Sequence, residues 1–378
     1  MKIIADENIP FAKEAFGCFG NLKLLPGRNI SNAELKDAEI LIVRSITTVD
    51  KNLLQGTRIK FVGTATIGFD HIDLDYLNES GITYANAAGC NADSVNEYVW
   101  AAIFKSVVEK KIPLEGKTIG VVGVGNIGSR VVCTAEKLGL KVLQNDPPLK
   151  RRTNNKNFVD LNEALSADII TFHVPLTYEG EDKTFHLLNE KNLQQIKPGA
   201  IIINSSRGPV IDNTALLNCM KNDSDMVTIL DVWEIEPNIN VELLEKTFIG
   251  TAHIAGYSYE GKVNGTLMIY NELCKFLEVK PGWTPQLPMI ENPTIEFNFD
   301  IGFEKSIDNV IKQAYNIDED NIALKKLLTD KSLTSAIYFD KLRKEYRQRR
   351  EFTNYSIEMS AKDLNIKKAL ASLRFNLT

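Results

Sequence analysis

Continuous apolar runs recur through the middle of the chain and are separated by polar or helical segments. From Lys117 onward they are TIGVVG, KVLQND, DIITFHVP, AIIINS and MVTILD. Runs that are apolar on both faces are typical of buried parallel strands. Helices are predicted between them over 126–138, where Gly139 ends the helix, and from 213 to about 222. The pattern predicts a doubly wound parallel α/β sheet.

Two further regions flank this predicted sheet. Before it, KIIAD, AEILIVRS and IKFVGTATIG alternate with polar stretches, as expected of a small parallel α/β unit. Ser94 and Glu97 form a candidate capping box for a helix that leads out of that unit. A helix predicted over 258–278 ends before Pro281. The tail then combines strand-like IEFNFD with helical SIDNVIKQAYNI and a basic helical segment, FDKLRKEYRQRREF, which predicts an α+β domain.

Composition and charge exclude several classes of protein. The 378 residues carry 44 Lys plus Arg against 49 Asp plus Glu, a formal net charge of -5, so no global basic field would gather nucleic acid or an acidic membrane. No stretch is long enough to span a membrane, and the N-terminus lacks a signal-peptide pattern. The 5 cysteines are far apart in the sequence, without metal-ligand spacing. We expect a cytoplasmic protein with reduced thiols and no metal.

A glycine-rich turn predicts a dinucleotide site. Gly123, Gly125 and Gly128 lie between the strand TIGVV and a helix, and Asp146 ends the following strand. The glycines permit a tight turn, backbone approach to a pyrophosphate and close helix packing, while the helix N-terminus favours the anion. Asp146 would bind an adenosine ribose and favour NAD. The basic run 150–152 could instead hold the extra phosphate of NADP, or lie in solvent.

Three polar residues follow strand ends of the same sheet: Arg207, Glu236 and His253. The carboxyl ends of strands are where doubly wound sheets bind ligands. A histidine can take the hydroxyl proton of an alcohol, a neighbouring carboxylate can stabilise the imidazolium, and an arginine can hold a carboxylate bidentately. The set is typical of the oxidation of a 2-hydroxy acid. Each residue taken alone could have a structural role, and His71, His173 and His186 compete as bases, His173 most seriously because it ends a strand of this sheet.

The motifs GVVGVGNIG with Asp146, NSSRG, DVWEIEP and HIAG resemble the signatures of D-isomer-specific 2-hydroxyacid dehydrogenases. The resemblance implies a Rossmann-type NAD domain, a second flavodoxin-like α/β substrate domain, and Arg207, Glu236 and His253 as the catalytic set. The further cofactor contacts that it implies are Asn126, Ile127, Val174, Ser205, Ser206, Asp231 and Gly256, and the substrate contacts are Ser45, Thr66 and Tyr257. Relatives often carry a threonine where this chain has Val174, so only a backbone contact is expected there.

Near end-to-end similarity to one group within the family, tail included, implies a phosphorylated hydroxy-acid substrate. Such a substrate needs a cationic pocket in this acidic protein. We expect Arg44 to contribute, together with some of the tail residues Arg343, Lys344, Arg347, Arg349 and Arg350. The tail run could equally be a solvated helix face or an internal salt-bridge network.

The resemblance also assigns roles to three predicted domains. Residues 1–92 plus 256–280 would bind substrate, 93–255 would bind NAD, and 281–378 would form a C-terminal α+β dimerisation domain in a homodimer. Two alternatives stay open from the sequence. One is another 2-hydroxyacid dehydrogenase, such as one acting on 3-phosphoglycerate, and the other is an NAD-sensing binding protein that keeps the fold without needing turnover.

Overall fold

The computed structural model describes residues 1–222, 225–297, 301–359 and 364–378. The chain forms two compact units. The first consists of Met1–Ala92 and Ser258–Met289, and the second consists of Asp93–Tyr257 and Ile290–Thr378. The tail beyond Met289 therefore shares a unit with the predicted NAD domain, whereas the sequence predicts that residues 281–378 form a domain of their own.

The first unit is built on a five-stranded parallel sheet in the order β2-β1-β3-β4-β5, which confirms the predicted flavodoxin-like topology. Its strands are β1 (Lys2–Asp6), β2 (Asn21–Leu25), β3 (Ile40–Val43), β4 (Phe61–Thr64) and β5 (Thr83–Asn86). All four residues of β3 and of β4 are buried, as their apolar sequence predicts. The strand order reverses between β1 and β3, which is where open α/β sheets bind ligands.

The second unit contains a six-stranded parallel sheet in the order β11-β10-β9-β8-β6-β7, which confirms the predicted doubly wound sheet. Its strands are β6 (Thr118–Val122), β7 (Lys141–Asn145), β8 (Ile169–Phe172), β9 (Ile201–Asn204), β10 (Val227–Leu230) and β11 (Ile249–Gly250). The strand order reverses between β6 and β8. The loops that follow these two strands therefore flank the ligand-binding crevice expected for this topology.

The tail adds a small parallel sheet in the order β12-β13-β14. Its strands are β12 (Thr294–Ile295), β13 (Ser356–Ile357) and β14 (Asn376–Leu377). Of the predicted strand IEFNFD, which covers residues 295–300, only Ile295 lies in β12, and residues 298–300 lie outside the described part of the chain.

The helices surround these sheets and include most of those that the sequence predicts. They are α1 (Ala12–Phe16), α2 (Asn32–Leu35), α3 (Lys51–Leu54), α4 (Leu74–Glu79), α5 (Ala92–Lys110), α6 (Gly128–Lys137), α7 (Pro147–Thr153), α8 (Leu161–Leu165), α9 (Glu190–Leu193), α10 (Asn213–Lys221), α11 (Val241–Lys246), α12 (Tyr259–Phe276), α13 (Phe303–Ala314), α14 (Ile317–Thr329), α15 (Ser335–Lys344) and α16 (Leu364–Ser372). Within the described ranges, no helix is both long and apolar enough to cross a membrane.

One apolar core joins the tail to the NAD-domain sheet. Trp100 and Phe104 of α5 belong to the same buried cluster as Ile307, Phe352 and Leu370 of the tail. Burial of side chains of this size contributes about 1.5–3 kcal/mol each relative to exposure. This shared core packs the tail against α5 within the second unit, and the assignment of residues 281–378 as a domain stays a prediction.

Two local predictions about helix ends were wrong. Helix α5 begins at Ala92, so Ser94 and Glu97 lie inside it and do not form a capping box. Ser94 instead accepts a hydrogen bond from Arg349 at its Oγ (2.9 Å), and Glu97 accepts one from the backbone N–H of Phe352 (2.9 Å). The predicted basic helix also ends early, at Lys344.

Candidate active site

The glycine-rich turn after β6 has the shape that a dinucleotide requires. Gly123 adopts a φ of +88°, which favours glycine, and a Cβ at Gly128 would lie 1.9 Å from the carbonyl oxygen of Gly123. By contrast, a Cβ at Gly125 would meet no atom within 4 Å. The first and third glycines are thus needed by the protein itself, while the second leaves open space at the N-terminus of α6. Exposed Asn126 and half-buried Ile127 complete this turn. The turn fits a pyrophosphate.

Asp146 stands at the end of β7, as predicted, and its carboxylate is already oriented. One oxygen accepts a hydrogen bond from the backbone N–H of Val124 (2.8 Å), and the other caps α7 through the N–H of Leu149 (2.9 Å). The neighbouring basic run is partly neutralised, because Arg151 forms ion pairs with Glu181 and Asp182. An anchored carboxylate beside a neutralised arginine favours NAD over NADP.

The loop after β8 faces the glycine turn across the point where the strand order reverses. A Cβ at Gly123 would lie 2.7 Å from the carbonyl oxygen of His173 and 2.8 Å from a methyl group of Val174. Val174 therefore borders the predicted cofactor site. Burial lowers the pKa of His173 to about 3. Its ring hydrogen-bonds only Thr171 (2.9 Å) and lies near no carboxylate partner in the described chain, so it cannot hold a proton near neutral pH.

The NSSRG loop after β9 is organised by Asn204, which is fully buried. Its side chain accepts a hydrogen bond from Ser206 Oγ (2.8 Å) and donates one to the carbonyl of Arg207 (2.9 Å). The Oγ atom of Ser205 is buried and has no hydrogen-bond partner within the described residues. An unsatisfied buried hydroxyl is costly, and a bound cofactor would relieve that cost. Gly208 packs directly on the backbone of Trp233, which ties this loop to the one that follows β10.

Glu236 and His253, two of the three predicted catalytic residues, lie in direct contact. Nδ1 of His253 lies 2.7 Å from Oε2 of Glu236, and Oε1 accepts a hydrogen bond from the backbone N–H of Trp233 (2.8 Å). Burial by itself would raise the pKa of Glu236, but His253, the Trp233 N–H and the charge of Arg343 together hold it below its ordinary value. The carboxylate is therefore ionised and able to orient the imidazole.

Asp231 organises the loop that carries His253, Ile254 and Ala255. Its carboxylate accepts hydrogen bonds from the backbone N–H groups of Ile254 (2.8 Å) and Ala255 (2.9 Å) and from Thr251 Oγ1 (2.6 Å). Its own carbonyl accepts a hydrogen bond from the N–H of His253, which adopts a φ of 56°. A left-handed φ at a non-glycine residue persists only where the surroundings impose it. The hydrogen bonds of this carboxylate hold the loop that ends at Gly256. The predicted contact of Asp231 with the cofactor stays a prediction.

The predicted substrate residues of the first unit lie at the carboxyl edge of its sheet. Arg44 follows β3, and its Nε donates to Asp6, at the end of β1, over 3.1 Å. Ser45, the next residue, is exposed, and Thr66 Oγ1 contacts Thr64 Oγ1 at 2.8 Å. Burial, and secondarily Arg44, lowers the pKa of Lys262 to about 8. Lys262 thus adds a second cation near Arg44, and the sequence pattern did not single it out.

The basic run of the tail divides by role. Arg347 pairs with Asp320 and Glu319, and Arg350 donates to Asn354 (3.0 Å). Arg349 is buried, donates to the carbonyl of Ala255 (3.2 Å) and stacks over Tyr315 at 4.1 Å. These three arginines hold the tail together and to α5. Lys344 is exposed, and Arg343 lies against Tyr257.

Sequence reasoning missed a second histidine cluster beside the site. Nε2 of His186 lies 2.6 Å from Glu234 and its Nδ1 lies 3.5 Å from Asp212. Glu234 also accepts the backbone N–H of Asn213 at 3.0 Å. The cluster fastens the segment after Arg207 to the segment before Glu236, because the two carboxylates belong to those segments. His186 and Glu234 are 48 positions apart, with Asp212 between them in the sequence, so no motif spacing indicated the cluster.

The fold and this geometry agree with comparisons to known proteins. The family model of the D-isomer specific 2-hydroxyacid dehydrogenase, NAD binding domain, matches residues 87–255, and a domain of unknown function (DUF3410) matches residues 286–373. The chain is 42% identical to erythronate-4-phosphate dehydrogenase of Escherichia fergusonii over 379 residues, covering 100% of this chain and 98% of the relative. The same enzyme of Cronobacter sakazakii is 42% identical over 386 residues, covering 100% and 99%.

Solved structures extend the comparison to the fold. D-lactate dehydrogenase from Aquifex aeolicus, solved with NAD and lactic acid, is 28% identical with a TM-score of 0.61, over 74% of this chain and 96% of its own. NAD-bound 3-phosphoglycerate dehydrogenase of Entamoeba histolytica is 25% identical with a TM-score of 0.63, over 74% and 95%.

The chain belongs to the D-isomer-specific 2-hydroxyacid dehydrogenase family, whose members are NAD-dependent oxidoreductases. Within this family it falls with the erythronate-4-phosphate dehydrogenases, which it matches from end to end. The predicted NAD cofactor is thereby confirmed.

Proposed function

We propose that this protein oxidises 4-phospho-D-erythronate to (R)-3-hydroxy-2-oxo-4-phosphooxybutanoate with NAD, a step in the biosynthesis of pyridoxine 5'-phosphate. The observation that carries the chemistry is the hydrogen bond between His253 and Glu236, 2.7 Å long, at the carboxyl edge of the sheet that bears the dinucleotide turn. The substrate follows from the full-length likeness to erythronate-4-phosphate dehydrogenases.

The first task of the site is to hold the substrate. Arg207 binds the carboxylate of the 2-hydroxy acid, since a guanidinium presents two parallel donors to a carboxylate. Asn204 holds the backbone of this arginine through its carbonyl (2.9 Å), which fixes the loop before substrate arrives. A pre-organised donor costs less to align than one that must be ordered on binding.

The second task is to move a proton. With Nδ1–H of His253 donating to Glu236, Nε2 keeps its lone pair and removes the proton of the C2 hydroxyl. The ionised carboxylate then stabilises the imidazolium. When NAD is bound, its nicotinamide supplies the hydride acceptor. In the reverse direction the protonated Nε2 returns the proton to the oxygen.

The cofactor and substrate contacts of the family are assigned here to the residues that match them. Gly123, Gly125, Asn126, Ile127, Gly128, Asp146, Val174, Ser205, Ser206, Asp231 and Gly256 serve the cofactor, and Arg44, Ser45, Thr66 and Tyr257 serve the substrate. The first unit would supply substrate contacts. By the same likeness we propose a cytoplasmic homodimer in which the tail forms the dimer interface.

The test is an initial-rate assay of NADH formation with 4-phosphoerythronate and 3-phosphoglycerate in parallel. Preference for the erythronate, lost in His253→Ala, supports the proposal. Preference for the glycerate would keep the catalytic set and overturn the substrate. No turnover of either acid by folded, NAD-binding protein would favour a binding protein instead. A dimer by sedimentation equilibrium that becomes monomeric on tail-interface substitution tests the assembly.

A further inference from the structure

Arg343 is a tail residue that lies beside the catalytic loops. It stands one residue before the end of α15, and its Nε donates to the hydroxyl of Tyr257 over 3.2 Å. Its guanidinium carbon lies 5.7 Å from the centre of the Tyr257 ring. Tyr257 follows His253 by four positions and is braced edge-on by Tyr346 (5.7 Å between ring centres). The tyrosine thus orients the arginine on the same side of the unit as the histidine loop.

The outer nitrogens of this guanidinium are available for a ligand. Nε is used by Tyr257, while Nη1 and Nη2 form no hydrogen bond or ion pair with any described residue. The nearby arginines differ, because Arg347 is committed to Asp320 and Glu319, and Arg349 is committed to Ser94 and Ala255. Nη1 and Nη2 of Arg343 therefore remain able to bind an anion in two places at once.

Arg343 interacts electrostatically with the carboxylates near His253. Burial by itself would lower its pKa, but Tyr257, Glu236 and Asp231 raise it above the ordinary value. Reciprocally, Arg343 is among the groups that lower the pKa of Glu236. The arginine is thus fully charged, partly removed from solvent and close to the carboxylate that orients His253. A cation in this setting interacts strongly with a second anion because the local screening is weak.

We propose that Arg343 binds the phosphate group of the substrate through Nη1 and Nη2, so that the tail contributes a specificity-determining residue to the active site of its own chain. This inference rests on the proposed function. It gives the tail, which matches a domain of unknown function, a part in substrate selection.

The phosphate is favoured over the carboxylate for a structural reason. A 2-hydroxy carboxylate is the part of the substrate that the wider family shares, and Arg207 lies in the part of the chain that those relatives share. The D-lactate dehydrogenase structure, solved with lactic acid, aligns with 74% of this chain. Arg207 lies within residues 87–255, which match the NAD binding domain of the family, whereas Arg343 lies within residues 286–373, which match a domain of unknown function. The tail supplies an additional cation, Arg343, and the phosphate group is the additional anion of the proposed substrate. Arginine matches the geometry of phosphate oxygens bidentately.

The experiment compares Arg343→Met and Arg343→Lys with the matched control Lys341→Met, which removes one exposed charge from the same helix. Each full-length variant is assayed with 4-phosphoerythronate, and unphosphorylated erythronate is measured as a substrate or as a competitive inhibitor. We expect Arg343→Met to raise the KM for the phosphorylated acid about 100-fold, with little change in the constant for erythronate. The KM of Arg343→Lys should lie between those of the wild type and Arg343→Met, and Lys341→Met should match the wild type.

Other outcomes would overturn the inference. Equal losses for both acids would assign Arg343 to the carboxylate. An unchanged KM with a lower kcat and a shifted pH profile would reduce it to a positioning residue that acts through Glu236. If Arg343→Met does not fold, the comparison rests on Arg343→Lys and on Arg343→Gln, which removes the charge but keeps a polar side chain. Failure of the proposed function would show differently, as the absence of 4-phosphoerythronate turnover in the wild type.

Discussion

Nδ1 of His253 lies 2.7 Å from Oε2 of Glu236, and the second oxygen of that carboxylate is held by the backbone N–H of Trp233 at 2.8 Å. The carboxylate is thus fixed at both oxygens, and the imidazole that it holds has one orientation. About a third (33%) of the histidine side chain remains exposed. The pair is therefore rigid where it touches the protein and open where a hydroxyl would approach.

Replacing Glu236 by Gln tests this relationship. The amide keeps the size of the side chain and can still accept one hydrogen bond, but it cannot stabilise an imidazolium by charge. We expect kcat to fall about 100-fold with little change in the Kd for NAD, since proton transfer by a positioned base contributes roughly 10²–10⁴-fold. Initial rates and fluorescence titration with NADH measure the two quantities. A variant with wild-type kcat would show that the charge of Glu236 is not needed.

We expect Asp146 to control the choice between NAD and NADP. In Asp146→Ser the hydroxyl can still cap α7, but the ribose loses its acceptor and the repulsion of a 2'-phosphate disappears. We expect the KM for NAD to rise about 10-fold, the size of one lost hydrogen bond to a charged group, and NADP to become a measurable cofactor.

A matched control for Asp146 is Asp160→Ser. Asp160 lies 3.9 Å from Lys150, and its side chain is 94% exposed, so its replacement removes one negative charge from the surface without removing a predicted cofactor contact. It should leave the ratio of NAD to NADP activity unchanged. An equal shift in both variants would mean that net charge, not the carboxylate of Asp146, sets the preference.

His173 should make the folded protein sensitive to acid. Burial lowers its pKa to about 3 from 6.5 in the unfolded chain, so between these values the unfolded state binds more protons. Stability is therefore unaffected above pH 6.5 and falls with pH below it, by at most about 1.4 kcal/mol per unit. In His173→Gln that part of the dependence should vanish. Urea unfolding at pH 7 and pH 5 measures it, and a wild-type and a variant that lose equal stability would contradict the assignment.

Asp231 is expected to matter first for the stability of the histidine loop. In Asp231→Asn one backbone N–H of Ile254 or Ala255 would face an amide N–H instead of an acceptor. An unsatisfied buried donor costs about 1–3 kcal/mol, so the free energy of unfolding should fall by that amount and kcat should fall with it. Thermal unfolding and hydrogen exchange at Ile254 and Ala255 check this. Unchanged exchange at both amides would show that the carboxylate does not hold the loop.

The features that sequence predicts here are those that depend on local order along the chain. Arg207, Glu236 and His253 follow β9, β10 and β11, which are neighbours in the sheet. Buried apolar runs identify such strands, and parallel pairing brings their carboxyl ends to one edge. The placement of the three residues at that edge could therefore be predicted, and so could the glycine turn.

The features that sequence does not predict depend on contacts between distant segments. Arg343 and Tyr257 are 86 positions apart, and the run that contains Arg343 reads as a uniform basic helix until the fold assigns each arginine a different partner. Ser94 and Glu97 match a capping box by spacing alone, yet the tail binds both. The capping-box prediction was wrong because Ser94 and Glu97 instead hydrogen-bond residues that lie 255 positions further along the chain.

The most direct test of the central claim follows one atom of the substrate. Wild-type protein is given NAD and 4-phosphoerythronate carrying deuterium at C2, and the reduced cofactor and the oxo acid are examined by mass spectrometry. The account predicts one deuterium in each reduced cofactor molecule, none at C2 of the product, and loss of the reaction in His253→Ala. Unlabelled reduced cofactor, or label released to water, would contradict oxidation at the 2-hydroxyl.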